Sequence, residues 1–128
     1  MMDRVLRMMS GDPDIGPRLR AADVTQRFDF EDFELVLNIR AGRPGEQENL
    51  LWEWTDEVDW SPQVRMTMSS QTANRFFQGR ENIVYAIARR RIRTAGDMQA
   101  GLELIPITKQ ISGRYRALVA DEYPHLGL

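Results

Sequence analysis

Residues 69–107, SSQTANRFFQGRENIVYAIARRRIRTAGDMQAGLELIPI, constrain the fold of this chain more than any other stretch. Ser70 suits a helix cap, and Ala73, Phe76 and Phe77 then share one face at helical spacing. Gly79 is the natural stop, because glycine takes the left-handed cap conformation without steric penalty. A second helix is predicted over 81–89, with Ile83, Ala86 and Ile87 on one side and Val84 beside them. Arg90 to Ala95 reads as a strand in which Ile92 and Thr94 oppose Arg91 and Arg93. Gly96 and Asp97 turn the chain into a third helix, where Met98, Leu102 and Ile105 form an apolar stripe until Pro106 stops it. These pieces aim more apolar side chains inward than one short strand can cover. A sheet from elsewhere in the chain must complete the core.

Three earlier segments supply candidates for that sheet. Over 33–40 Phe33, Leu35, Leu37 and Ile39 alternate with Glu34, Val36, Asn38 and Arg40, the period of a half-buried strand. A loop follows at 41–45 by its Gly and Pro content. In NLLWEWTD, Leu50, Trp52 and Trp54 share one face, and after a loop at 56–62 Val64, Met66 and Met68 alternate with Arg65, Thr67 and Ser69. Consecutive strands with short loops predict an antiparallel meander whose edge the 90–95 strand joins. Asp12 and Pro13 start a helix near 13–22, since Asp accepts from orphan amides and Pro fits the first turn. Residues 1–11 read equally as a mobile terminus or a short extra helix. A last helix over 107–121 carries Ile107, Ile111, Tyr115 and Leu118 on one side and ends before Pro124. A single domain over 1–128 is expected.

Composition narrows the function classes. The chain is 42% hydrophobic and 28% charged, as expected of an ordinary soluble globule. No apolar run of membrane-spanning length occurs, and MMDRVLRMMSGD lacks the continuous apolar core of a signal peptide. Zero cysteines remove disulfides, thiolate catalysis and the commoner zinc sites, and the expected location is the cytoplasm. The single histidine, His125, sits at the chain end, so no paired-imidazole metal site and no cofactor is expected. Asp29, Glu31, Asp32 and Glu34 cluster, and solvated charge is the preferred reading over an acid–base pair.

Charge is uneven along the chain. Residues 1–64 hold seven arginines against fourteen carboxylates; residues 65–128 hold nine arginines and one lysine against five. Arg89, Arg90, Arg91 and Arg93 are either a solvated face or a docking patch for an acidic protein or an anionic membrane surface. Nucleic acid does not fit an acidic protein whose arginine run holds no interleaved aromatic residue.

The order Phe-Phe-Gln-Gly-Arg, then Ala-Ile-Ala-Arg-Arg-Arg-Ile-Arg-Thr-Ala-Gly-Asp-Met, then Leu-Glu-Leu-Ile-Pro resembles the sterol carrier protein family of lipid-binding domains. The matching positions are Gly79, Ala88 to Arg91, Ile92, Gly96 and Asp97, and the likeness extends less distinctly over 20–124. Two departures stand out: Arg91 occupies a position commonly lysine, and the ending His125-Leu126-Gly127-Leu128 is unlike the Ser-Lys-Leu address of some relatives. The resemblance implies an α/β (α+β) fold, a mainly antiparallel sheet of about four to five strands covered on one face by helices, with a lipid cavity between them bordered by the C-terminal segment.

Residue types agree with an apolar site, although each aromatic or methionine is also an ordinary core residue. Met66, Met68 and Met98 are unbranched and can re-pack around a guest. The candidate ligand-binding set is Trp52, Met66, Met68, Phe76, Phe77, Ile87, Met98, Leu102, Ile105 and Ile111, with Tyr85 or Tyr115 as a polar group to orient the guest. The expected function is non-covalent binding or transfer of a fatty acid, acyl-CoA or sterol-like molecule, with no catalytic residues. The alternative is an enzyme or accessory subunit that shapes a hydrophobic intermediate.

Overall fold

The computed structural model describes residues 2–122, and Pro124 and His125 fall outside them. Six helices and five strands follow in the order α1 Met2–Gly11, α2 Ile15–Ala22, β1 Gln26–Phe30, β2 Leu35–Ala41, β3 Leu50–Glu53, β4 Val64–Met68, α3 Ser70–Phe77, α4 Ile83–Ala88, β5 Arg93–Gly96, α5 Met98–Lys109 and α6 Ser112–Glu122. The sheet runs β3-β2-β1-β4-β5, and every pair is antiparallel except β1 with β4. A mixed, mostly antiparallel five-stranded sheet flanked by helices is therefore the fold, as the resemblance implies.

The strand order differs from the expected meander. The sequence reading had no strand at 26–30, yet β1 is the central one and separates β2 from β4. Because β1 and β4 run parallel, the chain must cross back after β3. Residues 54–63 make that crossing over the polar face of the sheet. Thr55 O accepts from Asn38 Nδ2 at 2.7 Å, and Thr25 Oγ1 donates to Ser61 O at 2.9 Å. Asn38, expected to face solvent, is only 1% exposed for this reason. On the same face Asp29 pairs with Arg27 and with Arg65.

The other face is apolar, in rows set by register. Trp52, Ile39, Gln26 and Val64 lie across from one another, then Leu37, Phe28 and Met66, then Leu35, Phe30 and Met68. One core cluster joins these rows to all six helices, including Leu6 of α1, Leu19 of α2, Phe77 of α3, Ala86 of α4, Leu104 of α5 and Val119 of α6. The open choice at residues 1–11 is settled by this packing. Val5, Leu6 and Met9 are buried, so α1 is a core helix. Phe33 and Leu35 are 65% and 47% exposed, against expectation, because β2 begins only at Leu35 and its start projects beyond the core.

Helix boundaries follow capping chemistry. Ser69, one residue before the expected cap, accepts from Thr72 N at 3.2 Å to open α3. Asn82 accepts from Tyr85 N at 3.0 Å for α4, and Asp97 Oδ1 from Ala100 N at 3.1 Å for α5. Gly79 ends α3 at φ +74, as expected. Pro106 does not stop α5, which continues to Lys109. Pro106 and Leu102 both lie on an exposed flank, so the Leu102 carbonyl that the ring leaves unpaired is not forced into the apolar core. The final helix accordingly begins at Ser112 rather than 107.

Candidate ligand cavity

An apolar space of about 40 Å³ lies between the sheet and the helices. Its floor is Phe28, Ile39, Leu50 and Met66, one from each of β1 to β4. Leu6 and Met9 of α1 and Leu19 of α2 close one side; Phe76 and Phe77 of α3, with Gly101, Leu104 and Ile105 of α5, close the other. A side compartment of about 10 Å³ adjoins it, walled also by Ile87, Met98 and Leu102. Met66, Ile83, Gly101 and Ile105 line both spaces, so rotation of the unbranched Met66 side chain would join them. Gly101 contributes its lack of a side chain. A Cβ there would stand 3.1 Å from Val64 Cγ2.

None of the residues lining these two spaces is ionisable. Gln26 is the polar side chain of the inner space, half-buried on the central strand. Its amide has no hydrogen-bond partner among the described residues and is free to meet a polar end of a guest. A water occupies about 30 Å³ in the liquid, whereas sites for drug-sized ligands span about 300–1,000 Å³. A lipid therefore fits only if wall side chains move.

Of the residues chosen from sequence, the structure brings Met66, Phe76, Phe77 and Ile105 to the inner space and Ile87, Met98 and Leu102 to the side compartment. Trp52, Met68 and Ile111 line neither. Met68 and Ile111 are packed core, and Trp52 Nε1 is held by Asp3 at 2.8 Å. Neither proposed tyrosine reaches the space. Tyr85 is on the exposed side of α4, and Tyr115 donates its hydroxyl to Asn74 Oδ1. Burial pushes the Tyr115 hydroxyl up to about 12, so it stays a neutral donor. The polar residue that does line the space, Gln26, was missed with β1. Its signal was present, since Phe28 and Phe30 alternate with Arg27 and Asp29.

An outer groove of about 150 Å³ lies nearby, between Phe30, Phe33, Leu35 and Trp54 on one side and Ala73, Asn74 and Tyr115 on the other. Phe77 lines the inner space and Tyr115 the groove, with ring centroids 5.7 Å apart, so this aromatic pair stands between them.

No family model matches the sequence, and no curated protein is significantly similar to it. Solved structures are similar in fold. Part of the stereoselective inverting sec-alkylsulfatase from Pseudomonas sp. matches with a TM-score of 0.67 at 16% identity over 84% of this chain, which spans only 16% of that enzyme's length. The UbiJ-SCP2 ubiquinone synthesis protein matches at 0.63 and 10% identity, over 84% of this chain and 89% of that one. The sterol carrier protein domain 2 of Helicoverpa armigera matches at 0.64 and 16% identity, over 88% and 86%. At such identities the likeness is one of architecture: the chain has the fold of a sterol-carrier-like domain.

Proposed function

We propose that the chain binds a hydrophobic small molecule non-covalently between its sheet and helices. The observation that carries this reading is the apolar space without ionisable lining, whose one lining amide, on Gln26, has no partner among the described residues. Energetics permit the necessary opening. Burying ten methylenes contributes roughly 8 kcal/mol, while re-ordering a side chain costs about 0.5–1.5 kcal/mol. Three or four displaced wall residues are thus offset. The ligand class is a chain or ring system with one polar end: a fatty acid, an acyl-CoA or a sterol-like molecule. A second reading, in which the chain serves an enzyme as its hydrophobic binding part, draws on the fold's occurrence within the alkylsulfatase.

Native mass spectrometry of protein from its natural host, together with melting in the presence of fatty acids, acyl-CoA esters and a sterol, tests the proposal. A ligand at a hundred times its Kd should stabilise the fold by about 2.7 kcal/mol, a rise of roughly 10 °C for a domain of this size. Gly101→Leu fills the wall common to both spaces and should remove that rise, and Gln26→Leu should weaken ligands with a polar end more than plain hydrocarbons. If no compound shifts the melt and the native protein carries nothing apolar, the core is simply packed and the proposal fails.

A further inference from the structure

Among the described residues, the large apolar side chains left exposed fall into two sets. Phe33, Leu35 and Trp54 belong to the outer groove, beside Glu31, Asp32 and Glu34. Val84 and Tyr85, 66% and 48% exposed, stand on α4, and Leu102, 42% exposed, borders the side compartment that Ile87 of the same helix also lines. The second set is the one accompanied by arginines.

The arginine run is divided by its partners. Arg91 is paired with the buried Glu81, which also holds Arg75, and Arg93 is paired with Glu31. Arg91 is thereby tied to the fold, whereas the Arg93–Glu31 pair lies in solvent. Arg89 and Arg90 have no carboxylate within ion-pairing distance among the described residues. The Arg89 guanidinium lies over the Tyr85 ring, 4.8 Å from its centroid, with that of Arg91 at 5.6 Å, and Arg90 is exposed on a left-handed backbone at φ 59.

We propose that the exposed side of α4, with Arg89 and Arg90, docks on an anionic lipid surface. A bilayer interface offers phosphates directly above acyl carbon, and α4 presents the matching pair: guanidinium groups that stay with phosphate while Val84 and the Tyr85 ring enter the boundary layer. An acidic protein would satisfy the arginines alone. Leu102 decides for lipid, because it links this face to the side compartment, and a guest leaving the acyl layer there would reach the cavity without crossing water. This step rests on the proposed function; docking itself does not.

The test uses phosphatidylcholine vesicles with and without phosphatidylserine. The native chain should bind the anionic vesicles, release from them as salt is raised, and bind neutral ones far less. Arg89→Gln with Arg90→Gln should lose about tenfold or more in affinity while melting as the native chain does. The chain has no cysteine, so a polarity-sensitive dye can be placed by Val84→Cys, by Leu102→Cys or, on the crossing over the polar face of the sheet, by Glu57→Cys. The first two should shift to the blue on anionic vesicles and the third should not. Equal binding by the native and double-variant chains, no preference for phosphatidylserine, or dyes that stay in water would overturn the proposal. So would a lowered solution mass of the double variant, which would make this face a contact between copies. Gly101→Leu separates the two hypotheses: it should still bind vesicles after losing its ligand, and a chain that takes up fatty acid but ignores vesicles overturns docking alone.

Discussion

Asp3 shows how one residue changes the meaning of others. Its Oδ1 accepts from both Trp52 Nε1 and Trp54 Nε1 at 2.8 Å, which ties α1 to the end of β3. The bond from Trp54, then that from Trp52, holds the carboxyl below its ordinary value against the opposing effect of burial. A depressed folded-state value means this contribution is fully present above the unfolded value and fades as pH falls through the lower one. Indole emission should therefore shift to the red in strong acid before the sheet unfolds. Asp3→Ala should produce the same shift at neutral pH and lose about 1–3 kcal/mol in a denaturant melt. Unchanged emission in that variant would mean the indoles do not depend on this acceptor. The alternation that placed Trp52 and Trp54 on one face held, since both reach the same oxygen. What alternation could not show was that their partner is a carboxylate 49 residues or more away, and so Trp52 was assigned to a cavity it does not line.

At the scale of elements, local chemistry was the readable part. Gly96 joins β5 to α5 at φ +89, and Asp97 N donates to Gln63 O at 2.7 Å just after it. A Cβ at Gly96 would come within 2.2 Å of that same Gln63 carbonyl oxygen. Gly96→Val should consequently cost more than about 1 kcal/mol, from left-handed strain and a backbone clash together. A thermal melt coincident with that of the native chain would show that the joint carries neither. The Gly-Asp pair announced this joint because its cause lies in the residues themselves. Pro106 announced a stop that did not occur, because its cost depended on whether the freed carbonyl faced solvent. Gly101 had no local signal at all. Its role comes from how near α5 lies to Val64.

Across the whole molecule, β1 has neighbours on both edges, while β3 and β5 each have one. Amides of β1, β2 and β4 should exchange with deuterium slowest, and those of the short, exposed β5 should open first. Protection in β5 equal to that in β1 would contradict this order of stability. The sequence by itself determined five of the six helices, four of the five strands and, for most of these, the face turned inward, while α1 was left open and the cap of α3 fell one residue away. Period, punctuation and capping act within a few residues, so they are written where they act. Only the tertiary structure decided that β1 sits at the centre, that residues 54–63 cross the polar face, and that Gln26 meets an apolar space. It also decided that Arg91 pairs with Glu81 and Arg93 with Glu31. Each of these depends on which distant edges and helices come together, and that is settled by shared burial across the chain rather than by the preference of any one segment.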